Sequence, residues 1–134
     1  MTDVVLDASV VAKWFRSTNE RHVSEAGSVR AAFGRGEIGV VAPSLLPLEL
    51  INTAGRKWQW ARVELEALAH EIQELGFEFV EPDLRTVARL TAAGLTAYDA
   101  AYVAIAESHE LQLVTDDEQL VAAAPHVAVA LADR

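Results

Sequence analysis

Val4-Val5-Leu6-Asp7-Ala8-Ser9 is the stretch whose reading decides the fold of this chain. Three apolar side chains run straight into a carboxylate, and small, helix-compatible residues follow. A strand buried on both faces of a parallel sheet has this unbroken apolar look, because neither face meets water. Open α/β sheets carry their functional groups just beyond the carboxyl ends of such strands. Asp7 stands at such an end. Three later segments deliver acids toward the same rim: Glu49, Asp99, and Asp116 or Asp117. The expectation is that these carboxylates meet around a divalent metal.

Working outward, a strand is predicted over residues 3–7 and a helix over 9–15, with Ser9 either capping that helix or helping to hold the site. A polar helix is predicted over 19–36, with Asn19 as cap and Gly34 and Gly36 as terminators. A second buried strand covers 38–42 and stops at Pro43. Ser44 then caps a helix that tolerates Pro47 in its first turn, where the N–H groups lack intrahelical partners anyway. That helix is apolar nearly all round, interrupted by Glu49 and Asn52, which at i, i+3 point to one side. A carboxylate there needs a partner, either a metal or a cation such as Arg56.

Arg56, Lys57, Trp58, Gln59, Trp60 and Arg62 interleave basic and aromatic residues. Such a cluster contacts phosphates and stacks bases, or it closes a helix and packs a core or dimer face. A helix over 61–75, a strand over 77–80, a helix over 84–93 and another over 98–107 follow. Thr96 caps the last of these, which places Asp99 in its first turn, where the dipole favours an acid whether or not it has a function. Tyr98, Ala101, Tyr102 and Ile105 recur on it at helical spacing. A strand over 111–115 ends at Asp116-Asp117, a short helix covers 120–124, and 127–131 is an edge strand or a tail. Strands alternating with helices predict an α/β fold with a mainly parallel sheet.

The 134 residues match one domain over 1–134, and 51% hydrophobic content supports a real core. Nothing reads as a membrane span or a signal peptide, so a cytoplasmic protein is expected. Cys is absent, which excludes disulfides, thiolate metal sites and a cysteine nucleophile. The net charge of −9 argues against a general basic surface for nucleic acid. It suits a site that wants a divalent cation, or a partner with a basic segment.

Clustered carboxylates repel one another unless a cation neutralises them, and oxygen-only ligands suit Mg²⁺ or Mn²⁺. Such ions serve phosphodiester hydrolysis. Competing chemistries lack their parts: there is no Gly-rich phosphate loop and no G-x-S-x-G elbow. His22, His70, His109 and His126 are scattered without metal-ligand spacing. A dehalogenase-type phosphatase would want an acid where Ser9 stands, and a receiver domain a late lysine; Lys13 and Lys57 are both early.

Four stretches together resemble the motifs of a PIN-domain ribonuclease, specifically a VapC-type toxin of a toxin–antitoxin pair. They are Val5 to Val11, Pro43 to Asn52, Leu95 to Ala104 and Leu113 to Leu120, and their order and spacing cover essentially the whole chain. The resemblance implies a PIN-like three-layer α/β/α fold with a mainly parallel central sheet of four to five strands. It implies Asp7, Glu49, Asp99 and Asp117 as catalytic, Mg²⁺- or Mn²⁺-holding acids, Asp116 being the spare in a Thr-x-Asp pattern. Ser9, Asn52 and Thr115 would orient them. It further implies an RNA substrate, a homodimer, and a cognate VapB-type antitoxin whose C-terminal segment covers the site in a higher assembly. Arg16, Arg35, Arg56 and Lys57 are the candidate phosphate contacts. A catalytically weak module that docks an antitoxin, and a small Mg²⁺ phosphatase, are the other readings.

Overall fold

Parallel pairing of the apolar strands sets the architecture. The computed structural model describes residues 2–134. Five strands, β1 (Thr2–Leu6), β2 (Ile38–Pro43), β3 (Glu78–Val80), β4 (Leu113–Thr115) and β5 (Ala128–Ala130), form one all-parallel sheet in the order β3-β2-β1-β4-β5. Seven α-helices flank it: α1 (Ala8–Phe15), α2 (Val23–Gly34), α3 (Leu45–Asn52), α4 (Arg62–Glu74), α5 (Leu84–Ala92), α6 (Ala97–His109) and α7 (Glu118–Ala123). This is the PIN-like α/β/α arrangement expected from the sequence. Parallel strands need crossovers, and the helices supply them while covering the sheet faces.

β1 is central. The chain leaves it to build β2 on one side and returns much later to build β4 on the other. Between β1 and β4 the strand order therefore reverses, and a crevice opens beyond their carboxyl ends. The register, Val5 against Leu113 and Leu6 against Val114, sets Asp7 beside Thr115 as the next pair outward. Val4, Val5, Leu6, Leu113 and Val114 are all at most 2% exposed, so the rim rests on a dry base.

α6 is the deepest helix. Ala100 to Ala106 are buried without a break, and the alanines let it lie close against the sheet. Thr96 caps it by accepting the Asp99 N–H at 3.0 Å, as expected. Tyr102 is buried, whereas Tyr98 is 66% exposed and is no part of the core.

Two local expectations fail. Asn19 does not cap a helix: it takes a left-handed φ of 60°, as Asn does readily, and α2 starts four residues later, after a left-handed His22. Ser44 does not cap α3, because its backbone is already helical and its hydroxyl donates to Glu81 instead. Pro43 closes β2 as expected, as its last residue paired with Val80, because a proline has no N–H with which to continue the ladder. The tail resolves as the edge strand β5 followed by a 3₁₀ turn, Leu131–Asp133.

An aromatic wedge seats α1 and α2 over the β3 side of the sheet. Phe77 meets Trp14 at 5.8 Å and Phe33 at 5.2 Å between ring centroids, both edge-on, and Trp14 Nε1 donates to the Ala26 carbonyl at 3.0 Å. α1 begins directly after Asp7, so this wedge also fixes the site. Phe77→Ala is expected to lower the unfolding free energy by about 3 kcal/mol at unchanged m-value in urea melts. A loss under about 1 kcal/mol would show that the wedge is not structural.

Candidate active site at the sheet rim

Asp7 is the innermost group of the rim, 6% exposed. It occupies the residue just before α1 in extended backbone, yet its side chain does not cap that helix. Ser9 Oγ donates to Asp7 Oδ1 at 2.6 Å and Thr115 Oγ1 to Oδ2 at 2.5 Å. Each hydroxyl in turn accepts a main-chain N–H from the turn after β4, Asp116 N–H on Ser9 at 2.9 Å and Asp117 N–H on Thr115 at 3.1 Å. Ser9 therefore works for the site and not as a helix cap. Burial pushes the Asp7 carboxyl up to about 6; the Ser9 and Thr115 hydrogen bonds and a Val10 N–H act against that rise, and the Asp99 charge adds to it.

Glu49, half-buried on α3, has no ion pair with Arg56. It accepts the Tyr102 hydroxyl of α6 at 2.5 Å. Burial raises its carboxyl, the tyrosine bond opposes that, and Asp99 adds to the rise. Asp99 is raised by burial and by Asp117, against a hydrogen bond with Thr96. Tyr102 is held well above the ordinary phenol range by burial and by Glu49, Asp7 and Asp99 around it. Asp7, Glu49, Asp99 and Asp117 thus come from four separate segments and act on one another, with Asp99 the shared neighbour. Asp117 caps α7, its Oδ1 accepting from Gln119 N–H at 2.9 Å and Leu120 N–H at 3.3 Å. It shares with Asp99 a cavity of about 360 Å³ that opens at the rim.

Asp116 faces elsewhere. Lys13 Nζ lies 3.1 Å from its Oδ2 and His22 Nδ1 2.8 Å from its Oδ1, with Arg21 at 3.7 Å. Burial alone would raise this carboxyl, but the bonds to His22 and Lys13 outweigh it and leave it below the usual range. Lys13 also binds Glu20 at 2.9 Å. This network was not read from the sequence, although a lysine between Val11 and Trp14 on an apolar helix must find anions. Tyr102 as the donor to Glu49 was missed as well, and its spacing of three residues from Asp99 was the available signal. Asn52 is exposed and makes no side-chain hydrogen bond among the described residues.

The donor set is all oxygen, three of its acids are held above their ordinary range, and among the described residues none of the four is paired with a cation. That chemistry fits a hard divalent ion. The side chains are not gathered as a ready cage: among the described residues no three acids or histidines stand together as they would around a metal.

The profile of the PIN domain family matches residues 4–125, nearly the whole chain, and the chain belongs to that family. A comparison with curated proteins gives no match. Among solved structures, PAE2754 from Pyrobaculum aerophilum is 26% identical with a TM-score of 0.68, over 98% of this chain and 90% of that one. FitAcB from Neisseria gonorrhoeae is 17% identical with a TM-score of 0.65, over 98% and 99%. FitAB bound to the IR36 DNA fragment is 17% identical with a TM-score of 0.64, over 96% and 94%. At that identity the last two share the fold.

A carboxyl whose folded pKa lies above its unfolded value favours folding below the unfolded value and loses that contribution as pH rises through the folded one. For Asp7 the window runs from about 4 to about 6. In EDTA, the parent should lose on the order of 2–3 kcal/mol of stability across it from this group. Asp7→Asn should be at least as stable as the parent at pH 7 and lack this loss. Urea melts of both proteins across that range check it; a pH-independent difference between them would refute it.

Proposed function

We propose that this PIN-domain protein is a metal-dependent endoribonuclease acting as the toxin of a toxin–antitoxin pair. The observation that carries the reading is the rim itself: four acids from four segments that meet electrostatically at Asp99, with no cation paired to them among the described residues and with Asp116 drawn away. Asp7, Asp99, Glu49 and Asp117 would hold Mg²⁺ or Mn²⁺, which supplies Lewis acidity and charge neutralisation for phosphodiester hydrolysis.

The chain's own groups prepare that place. Ser9 and Thr115 fix both oxygens of Asp7, so the carboxylate meets an ion or substrate in one orientation. Tyr102 holds one oxygen of Glu49 and keeps the side chain turned to the rim. The α7 amides engage one oxygen of Asp117. Outer partners of this kind orient ligands and tune them.

Partners belong to the same reading. A VapB-type antitoxin with a basic segment would satisfy the uncompensated acids, and the resemblance in four motifs supports it. FitAB, solved on a DNA fragment, lends only its fold. Exposed Leu84 and Tyr98 line an apolar groove that supports a homodimer, and a higher assembly with antitoxin follows from both. No helix of the described residues is long and apolar enough to cross a membrane, consistent with the proposed cytoplasmic setting. One observation favours a second reading, a catalytically weak docking module: the acids are not gathered as a finished cage.

Purified protein incubated with total RNA in Mg²⁺, Mn²⁺ or EDTA separates the two. Discrete fragments are expected with either metal and none in EDTA. Asp99→Asn should lower the rate by more than the roughly 10- to 100-fold typical of outer-partner changes, with an unchanged melting profile. Cleavage that survives the variant would defeat the mechanism; no cleavage and no calorimetric metal binding would establish the docking module.

A further inference from the structure

α3 does not end as an ordinary helix. Its last turn widens into a π-helical one, Thr53–Lys57, in which Trp58 N–H reaches back to the Thr53 carbonyl at 3.1 Å and Trp60 N–H to Ala54 at 3.0 Å. Such wide turns are frequent at functional sites. Here the turn carries exposed Arg56 and Lys57 outward and lays Trp58 toward α1. Between them lies a cavity of about 260 Å³, lined by Ser9, Lys13, Glu20, Thr53, Lys57 and Trp58 among others. Ser9 is the residue that grips Asp7, so this cavity adjoins the acid rim, and it shares no lining residue with the Asp99–Asp117 opening.

Charge is distributed unevenly around it. Lys13, Arg21, Arg35, Arg62 and Arg89 are each paired with a carboxylate. Arg16, Arg56 and Lys57, three of the cations with no carboxylate in reach among the described residues, gather around Trp58, and the Arg16 guanidinium lies 5.5 Å from the centroid of a Trp58 ring. The cavity floor is different: Glu20 and Asp116 are acceptors whose charge is met by buried Lys13. A phosphate would be repelled from that floor. A nucleobase, with a flat face for Trp58 and N–H groups for the acceptors, suits it, while its backbone meets the cations outside.

We propose that this cavity is the subsite for one unpaired nucleotide of the RNA strand beside the scissile bond, its base against Trp58 and its phosphates on Lys57, Arg56 and Arg16. The assignment rests on the ribonuclease reading above and adds where the strand lies. It also explains how a chain of net charge −9 holds a polyanion: through a local group of unspent cations and stacking, not through its surface as a whole.

The test is binding of a short fluorescein-labelled single-stranded RNA of mixed sequence to the full chain in EDTA, followed by anisotropy over a salt series. Trp58→Ala should weaken binding about tenfold or more, and Trp58→Phe, which keeps a flat ring, by less than about threefold. Lys57→Ala and Arg56→Ala should each lower the salt slope by about 0.7. Trp58→Ala within twofold of the parent overturns the subsite. If that variant does not fold, the exposed lysine and arginine variants decide, and unchanged affinity and slope in both overturns it. RNA cleaved and bound independently of Trp58 and Lys57 defeats the subsite alone; a parent that neither binds nor cleaves RNA defeats the ribonuclease reading with it.

Discussion

The rim depends on one constraint: a carboxylate kept at the end of the central strand, 6% exposed, with both oxygens held by hydroxyls. A buried acid without hydrogen bonds would be intolerable, and one with a cation would be spent. Ser9 and Thr115 solve this by donating without adding charge. Because each hydroxyl also accepts a main-chain N–H from the turn after β4, the arrangement ties β1, α1 and β4 together at the point where strand order reverses. Asp7 is thus a structural keystone of the crevice as well as its most perturbed acid.

Around it the acids divide by company. Asp116 and Asp117 are neighbours in sequence but opposite in environment. Asp116 turns to Lys13, His22 and Arg21 and sits below the usual carboxylate range; Asp117 turns to Asp99 and caps α7. The ion network closes the loop between α1 and α2 over the β4 turn. It also commits Lys13, the buried cation of α1, to Glu20 and Asp116. A second charge on the same turn thereby serves the fold while the first stays open.

The fold was legible because its strands are unbroken apolar runs and its helices are separated by Gly and Pro. Asp7 and Asp117 drew notice because they follow apolar strands and Glu49 because it interrupts an apolar helix, whereas the helix dipole alone accounts for a first-turn acid such as Asp99. Asp116 against Asp117 was decided in the sequence only by resemblance to a motif; in the structure Asp116 sits in a cation network from α1 and the following loop, with His22 and Lys13 lying 94 and 103 residues away in the chain. Local chemistry cannot show such pairings. For Tyr102 the spacing from Asp99 marked the shared face, but not the partner, which its hydroxyl finds in Glu49 across 53 residues. Asn19 and Ser44 failed for a different reason: both are good caps in isolation, and each was drawn into another local arrangement, a left-handed turn and a bond to Glu81. Capping preference is a weak force beside tertiary contacts.

What the basic and aromatic cluster does was left open by its composition, since a helix end and a nucleic-acid contact call for the same residues. Its placement narrows the choice. A dipole-complementing helix end needs cations near its last carbonyls, but not an adjoining cavity, nor a π turn carrying two cations that form no ion pair among the described residues. Screening limits exposed charges to about a Debye length, roughly 8–10 Å at physiological salt. The bulk negative surface is therefore largely hidden from a phosphate lying on Lys57, while the rim acids are hidden from nothing that enters the crevice. The chain keeps cations and acids on adjacent, separately wired sites, Arg16 on Trp58 and Lys13 on Asp116, and under the proposed ribonuclease reading an RNA strand crossing from one to the other would meet attraction first and the uncompensated carboxylates second.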